Sequence, residues 1–416
     1  MKKQLRLPSW LRKIGLIFAI LGPGLITASA DNDAPGIATY SMAGSKYGYS
    51  FIWIILLITV GEVIVQETAA RMGAVTGKGT ADLIRERFGV KITAFAMLCL
   101  LIANLGTTVA EFAGVAAAGE LFGISRYISV PIAGLVISLL ILRGNYKIVE
   151  KVLLVLCLSS LSYVITVFII KPDLGIVLKD AVTPNISFDS DYILAVLAVI
   201  GTTITPWGIF YLQASIADKG KELDKYNETR LDVTFGSVWG NIISVFIIIT
   251  CAATLYVAGI TVESAEDAAL ALRPLAGEGS SILFAAGLLG ASLLAVSVMP
   301  LSTTYAICEA FGFERGLNRP IKEARTFYTI FGVITLISML IVLIPDMPLF
   351  QVMIQSQSLN AILLPVLLIL ILILANDKNI MGKWTNSRLV NILTIFLTVV
   401  IFLATVALVF GPLLQT

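Results

Sequence analysis

The chain has 416 residues, 57% of them hydrophobic and only 13% charged, with a mean hydropathy of +0.93. A soluble globular protein carries roughly 25% charged residues and cannot hide this much apolar surface, so the excess must face lipid. The net charge of +2 is too small to suggest a nucleic-acid partner, and the lack of any histidine excludes a zinc protease.

Apolar runs of about 20 residues, the length that crosses a bilayer core, recur along the whole sequence. Eleven are expected, near 14–45, 49–71, 92–121, 127–143, 150–170, 191–217, 234–259, 280–311, 325–344, 348–375 and 388–411. In lipid each must be a helix, because a helix satisfies its own backbone hydrogen bonds. The fold class is therefore an all-α membrane protein, one transmembrane domain over 1–416 with no soluble domain between spans. The N-terminus shows no small-residue cleavage site after its apolar run, so it reads as a span and not a signal. Cys99, Cys157, Cys251 and Cys308 lie singly inside apolar runs, a packing pattern with no metal-ligand spacing.

Basic residues set the expected orientation. With the N-terminus in the cytoplasm and loops alternating, 24 of the 29 Lys and Arg residues fall on the cytoplasmic side. Only Lys46, Arg126, Lys171, Lys179 and Arg273 fall outside, and the C-terminus follows them. The location expected is the cell membrane.

Span 1 contains Ala30-Asp31-Asn32-Asp33-Ala34-Pro35-Gly36 in its middle. Pro35 removes a backbone donor and Gly36 permits unusual dihedrals, so a break is expected near 33–36. A charge at the bilayer centre costs roughly 2.5–3.5 kcal/mol on insertion scales, and a bound cation compensates two aspartates. Spans 2 and 3 hold Glu62, Gln66, Glu67 and Glu111, which line a permeation path or hydrogen-bond between helices.

Span 6 is interrupted in the same way by Thr202-Thr203-Ile204-Thr205-Pro206-Trp207-Gly208. A lone proline kink is ordinary, and Trp207 reads most simply as packing or an interfacial anchor. Spans 1 and 6 are five apart, however, and interruptions at matching positions of two halves point to inverted five-helix repeats around a central site. Repeat one covers about 14–170, repeat two about 191–375, and 388–411 is an extra helix. Freed carbonyls there, with Asp, Asn and Thr oxygens, make a hard oxygen shell. Span 10 carries Gln355, Ser356, Gln357 and Asn360, of which Gln357 is expected to reach the site.

Several of these segments resemble one family. Gly22-Pro23-Gly24, then Asp33, then Ala43-Gly44-Ser45-Lys46-Tyr47-Gly48-Tyr49 is similar to the first helix of the Nramp divalent-metal transporters. The likeness continues through Gly73-Ala74-Val75-Thr76-Gly77-Lys78-Gly79, Ala110-Glu111-Phe112-Ala113-Gly114 and Ile380-Met381-Gly382-Lys383. It covers most of the chain and implies the LeuT-type 5+5 inverted repeat, with helices 1 and 6 broken at the midplane.

The resemblance also implies a ligand set. The family's Asp-Pro-Gly-Asn signature matches Asp33-Ala34-Pro35-Gly36, keeping the aspartate and losing the asparagine to Gly36. Its helix-6 Met-Pro-His signature falls on Thr205-Pro206-Trp207, replacing a thioether with a hydroxyl. A family carbonyl ligand falls on Thr202, and its helix-10 glutamine falls on Gln357. The metal residues expected are thus Asp33, Asp31, Asn32, Gly36, Thr202, Thr205 and Gln357. Asp31 and Asn32 go beyond the usual signature and add charge or hold water. Of the proton-route positions, Leu212 replaces a histidine and Thr108 an aspartate, while Glu111 survives.

These departures look most like the Nramp-related magnesium transporters. The expected activity is import of Mg²⁺, and of Mn²⁺ with it, uncoupled from protons. A divalent ion crossing 100 mV gains about 4.6 kcal/mol, twice the unit-charge value. No enzyme activity and no resident cofactor are expected, because the ion is cargo. The partners are that ion and the lipid bilayer, with the protein a monomer. The alternatives are a proton-coupled Mn²⁺/Fe²⁺ symporter, or an amine or amino-acid symporter on the same fold.

Overall fold

The computed structural model describes residues 32–143, 158–218, 226–317 and 319–414, and among these the chain is helical with no strand. Asp31, the first half of span 1, Cys157 and the start of span 5 lie outside the described residues. Eight helical stretches are long and apolar enough to cross a membrane, and 126–142 and 161–170 are shorter apolar helices.

Helix α1 (Ala34–Tyr47) begins where the sequence suggested a break. Asp33 is its N-cap and Pro35 sits in its first turn, where a missing N–H costs nothing. Gly48, at φ 62°, ends it, and a 3₁₀ turn leads into α2 (Ile52–Thr76). Helix α3 (Thr80–Leu121) starts a dozen residues earlier than the apolar run at 92. Its Gly89, at φ 74°, separates a charged lead bearing Asp82, Arg85 and Arg87 from the apolar span. Helices α4 (Arg126–Arg143) and α5 (Leu161–Ile170) follow.

The sixth span is two helices, α6 (Ser190–Thr203) and α7 (Pro206–Asp218), separated by Ile204 and Thr205. Proline forces its predecessor toward extended backbone and cannot donate to α6, so the helix stops and restarts at Pro206. Proline alone does not break a span here: Pro131, Pro300 and Pro365 lie inside continuous helices. The remaining spans are α8 (Tyr226–Cys251), α9 (Ser280–Phe311), α10 (Arg325–Val342), α11 (Leu349–Asn376) and α12 (Arg388–Leu414). A π turn over Ala252–Tyr256 extends α8. The connections at 171–190 and 260–279 carry short helices at Leu174–Val182, Ala265–Leu270 and Arg273–Ala276.

Helix α3 is the central post, packed against α9, α11, α10 and α4. Around it, α1 packs on α8, α11 and α6, while α2 packs on α8 and α7. Helix α12 lies at the periphery against α11 and α6, with most of its surface exposed.

Candidate metal site

The site grows from two helix ends. An α-helix leaves its first four N–H and last four C=O groups without intrahelical partners, so an interrupted span places backbone dipoles in a lipid-free interior. At the start of α1, the Gly36 N–H donates to Asp33 Oδ1 at 2.7 Å, which uses one oxygen of a side chain only 1% exposed. At the end of α6, the Ile204 N–H closes on the Ile200 carbonyl at 2.8 Å, and the helix goes no further. The hydroxyls of Thr202 and Thr205 are buried and have no protein partner among the described residues. Thr203, between them, is used differently. Its hydroxyl donates to Val199 O at 2.8 Å and meets the Tyr40 hydroxyl of α1 at 3.0 Å.

Gln357 completes the junction from α11. The backbone of α6 crosses it at Gly201, where a Cβ would come within 1.9 Å of the Gln357 carbonyl oxygen. The fully buried side chain is held by its own helix. Its amide nitrogen donates to Ser356 Oγ at 3.0 Å, and its oxygen accepts from Asn360 Nδ2 at 2.9 Å. Asn360 in turn pairs with Thr107 of α3 at 2.9 Å. Asp33 and Gly36 stand at the start of α1, Thr202 at the end of α6, Thr205 in the break after it and Gln357 on α11, and α1, α6 and α11 pack on one another.

Asn32 behaves differently from the rest of the expected shell. Its amide donates to the Gly240 carbonyl at 3.2 Å and accepts from Ser244 Oγ at 3.3 Å, so both ends are engaged by α8. The amide ties the turn before α1 to its neighbour. Asp31 lies outside the described residues.

The surrounding polar groups have separate duties. Thr108 returns its hydroxyl to Asn104 O at 2.7 Å, and Leu212 is buried in apolar packing. The Glu111 side chain is fully buried and interacts with that of Asp33. Glu62 accepts from Asn241 of α8 at 2.5 Å, a bond between helices. Glu67 pairs with Arg71 at 3.1 Å and takes a hydrogen bond from the Tyr226 hydroxyl. Gln66 is 1% exposed, with an amide unpartnered among the described residues. Trp207 packs its ring against Ala295, Val298 and Met299 of α9, as its packing reading required.

Sequence reasoning missed two contacts that shape this region. A Cβ at Gly114 of α3 would meet the Ala34 Cβ at 2.4 Å and Ser292 Oγ at 2.3 Å, so three helices cross beside Asp33. Asn104 also donates to Thr303 of α9 at 2.8 Å. Both join helices distant in sequence, and only the Ala110–Gly114 motif hinted at the first. Among the described residues no group of three or more Cys, Asp or Glu side chains is placed to hold a metal. An ion held by the described residues here would rely on fewer than three carboxylates, with hydroxyls, amides and backbone carbonyls completing its shell.

Comparisons with known proteins agree with this architecture. The family model described as Natural resistance-associated macrophage protein-like (Nramp) matches residues 24–411. The chain is 29% identical over 382 residues to a protein named divalent metal cation transporter MntH from Erwinia tasmaniensis, covering 89% of each chain. It superposes on the Eremococcus coleocola manganese transporter, solved with an aromatic bis-isothiourea substituted compound, at TM-score 0.77 and 20% identity, over 98% of this chain and 88% of that one. It also superposes on MhsT in complex with L-phenylalanine at TM-score 0.55 and 16% identity, over 90% of this chain and 97% of that one. At these identities the structural likenesses speak for the fold alone. The sequence match is different in kind, since it runs through both helix ends and nearly the whole length: the chain belongs to the Nramp family, a family of membrane metal transporters and not enzymes.

Proposed function

We propose that this protein is a secondary transporter that imports divalent metal cations, Mg²⁺ and with it Mn²⁺, down their electrochemical gradient without obligatory protons. The observation that carries this reading is the pair of unpartnered hydroxyls, Thr202 and Thr205, at a mid-span helix break on a helix that packs against α1, where Asp33 caps the start. Asp33 is the anionic ligand, Thr202 and Thr205 supply helix-end oxygens, and Gln357 closes the shell from α11. Gly36 widens the site and Asn32 braces it from α8, with Asp31 adding charge. The names of the relatives support a divalent metal as substrate.

Magnesium is favoured by ligand type. Mg²⁺ accepts oxygen and sheds water reluctantly, whereas a thioether selects softer metals. The position of that thioether is Thr205. The 5+5 inverted repeat over 14–170 and 191–375 gives the two helix ends equivalent places, and the basic residues put the N-terminus in the cytoplasm. The protein acts as a monomer in the cell membrane.

One observation favours a second reading, proton-coupled Mn²⁺ symport. Glu111 and Asp33 are both buried and interact, and a carboxyl pair can share a proton. The deciding experiment is metal uptake into proteoliposomes with a proton-sensitive dye inside. Uptake without acidification supports the uniport. Acidification that scales with uptake establishes the symport instead.

A further inference from the structure

A groove of about 400 Å³ runs between α2, α6 and α12. Trp53, Ile58 and Gly61 form one wall, Ile200 a second, and Leu397 and Ala404 a third. The polar side-chain atoms of its lining belong to Ser187, Trp53 and Tyr192, grouped at one end, where the rings of Phe51 and Tyr192 meet at 5.3 Å. The rest of the lining is aliphatic or Phe.

The surroundings identify the occupant. Leu57 and Val60 on α2 and Phe396 and Leu403 on α12 line the groove and are 52%, 51%, 55% and 57% exposed, so it opens sideways into hydrocarbon. Water finds no polar partners along the aliphatic part of this space. From Tyr192 to Ile200 the α6 wall is about 12 Å long at 1.5 Å per residue, close to the depth of one leaflet of a 30 Å core. At the polar end the Tyr192 hydroxyl donates to the Asn185 carbonyl at 2.6 Å and the Ser187 hydroxyl to Asp189, so this end matches the glycerol level of a lipid by polarity and not by free donors. The Trp53 indole N–H is buried and unpartnered among the described residues. Lys46 lies beside Tyr192 through its 2.9 Å ion pair with Asp191, a cation at headgroup level.

The other end reaches the α6–α7 break. A Cβ at Gly61 would lie 3.0 Å from Leu397 Cδ2 and 3.6 Å from the Cδ1 of Ile204, the first residue of the α6–α7 break. Ile200, one turn earlier, also lines the groove. A chain lying there touches the half-helix on the side opposite the ion.

We propose that this groove binds one acyl chain of a diacyl phospholipid from the leaflet level with Trp53, and that the bound chain governs how readily α6 moves against α2 and α12. The second half rests on the transport reading above; the binding itself does not.

The test uses the full chain with Ala404→Phe and Ala407→Phe, two substitutions that fill the groove from the peripheral helix, each checked for an unchanged melting temperature. Native mass spectrometry in a stripping detergent, with palmitoyl-oleoyl phosphatidylglycerol added back, reads lipid binding. Metal uptake in proteoliposomes reads coupling. The expected result is one retained lipid in wild type, retention reduced in both variants, and uptake changed about five-fold, the lower end of allosteric coupling. Equal retention in all three proteins overturns the site. A protein dimer in place of the lipid adduct overturns the occupant. Lost retention with unchanged uptake overturns the link to the α6–α7 break while leaving the transport reading intact.

Discussion

The Cα of Gly201 on α6 rests against the backbone carbonyl of Gln357 on α11, so closely that a Cβ would sit 1.9 Å from that oxygen. The contact is backbone against backbone and cannot relax by turning a side chain. It sets the crossing of two helices one residue from Thr202. Gly201→Ala should therefore cost about 1–3 kcal/mol of stability through overpacking and lower uptake sharply. Gly106→Ala is the control, because its nearest neighbour is the flexible Leu359 side chain at 3.3 Å. Melting temperature and initial uptake rate of both variants check this; equal behaviour would show that the crossing tolerates a methyl group.

Asp33 caps α1 and also serves as the proposed anionic ligand, and two substitutions separate these duties. Asparagine can still accept from the Gly36 N–H but carries no charge. Asp33→Asn and Asp33→Ala should both abolish metal uptake, while only alanine loses the cap, worth about 1 kcal/mol. Paired uptake and melting measurements decide it. Wild-type flux in correctly reconstituted Asp33→Asn would remove the charge from the mechanism.

Selectivity tests the chemistry at the break. Thr205→Met should raise affinity for Cd²⁺ and Mn²⁺ relative to Mg²⁺, since a thioether prefers softer ions. Adding Gly36→Asn should move the site further toward a dehydrated transition metal. Mg²⁺ uptake with graded Cd²⁺ reads the change. If Cd²⁺ inhibits wild type and both variants alike at matched Mg²⁺ affinity, Thr205 does not face the ion.

Glu111 separates uniport from symport at the level of one residue. Glu111→Gln keeps the shape and hydrogen-bonding capacity of the side chain but cannot carry a proton. Under the uniport it should retain most of its uptake, with the pH profile of wild type. A collapse of uptake together with a lost pH dependence would assign Glu111 to a proton route.

Much of this was legible in the sequence because lipid leaves so few choices. The span at 280–311 coincides with α9, and 325–344, 348–375 and 388–411 differ from α10, α11 and α12 by three residues or fewer at each end. The break at Thr205–Pro206 was readable from proline and its flanking residues. What could not be read is tertiary. Gly89 adds a charged helical lead to α3 that hydropathy ignores. The commitment of Asn32 to α8 depends on Gly240 and Ser244, more than two hundred residues away.

The buried Arg71 gives the periphery a weight its exposure hides. Beyond Glu67 on its own helix, its guanidinium donates to the Trp384 carbonyl and to Asn386 Oδ1 at 2.6 Å, both in the link leading into α12. Helix α12 itself buries little and has the look of a removable appendage. Cutting the chain before Trp384 would nevertheless strand a guanidinium inside the protein with two of its acceptors gone. A shortened homologue that ended before Trp384 would have to change residue 71 as well, and the two losses should travel together.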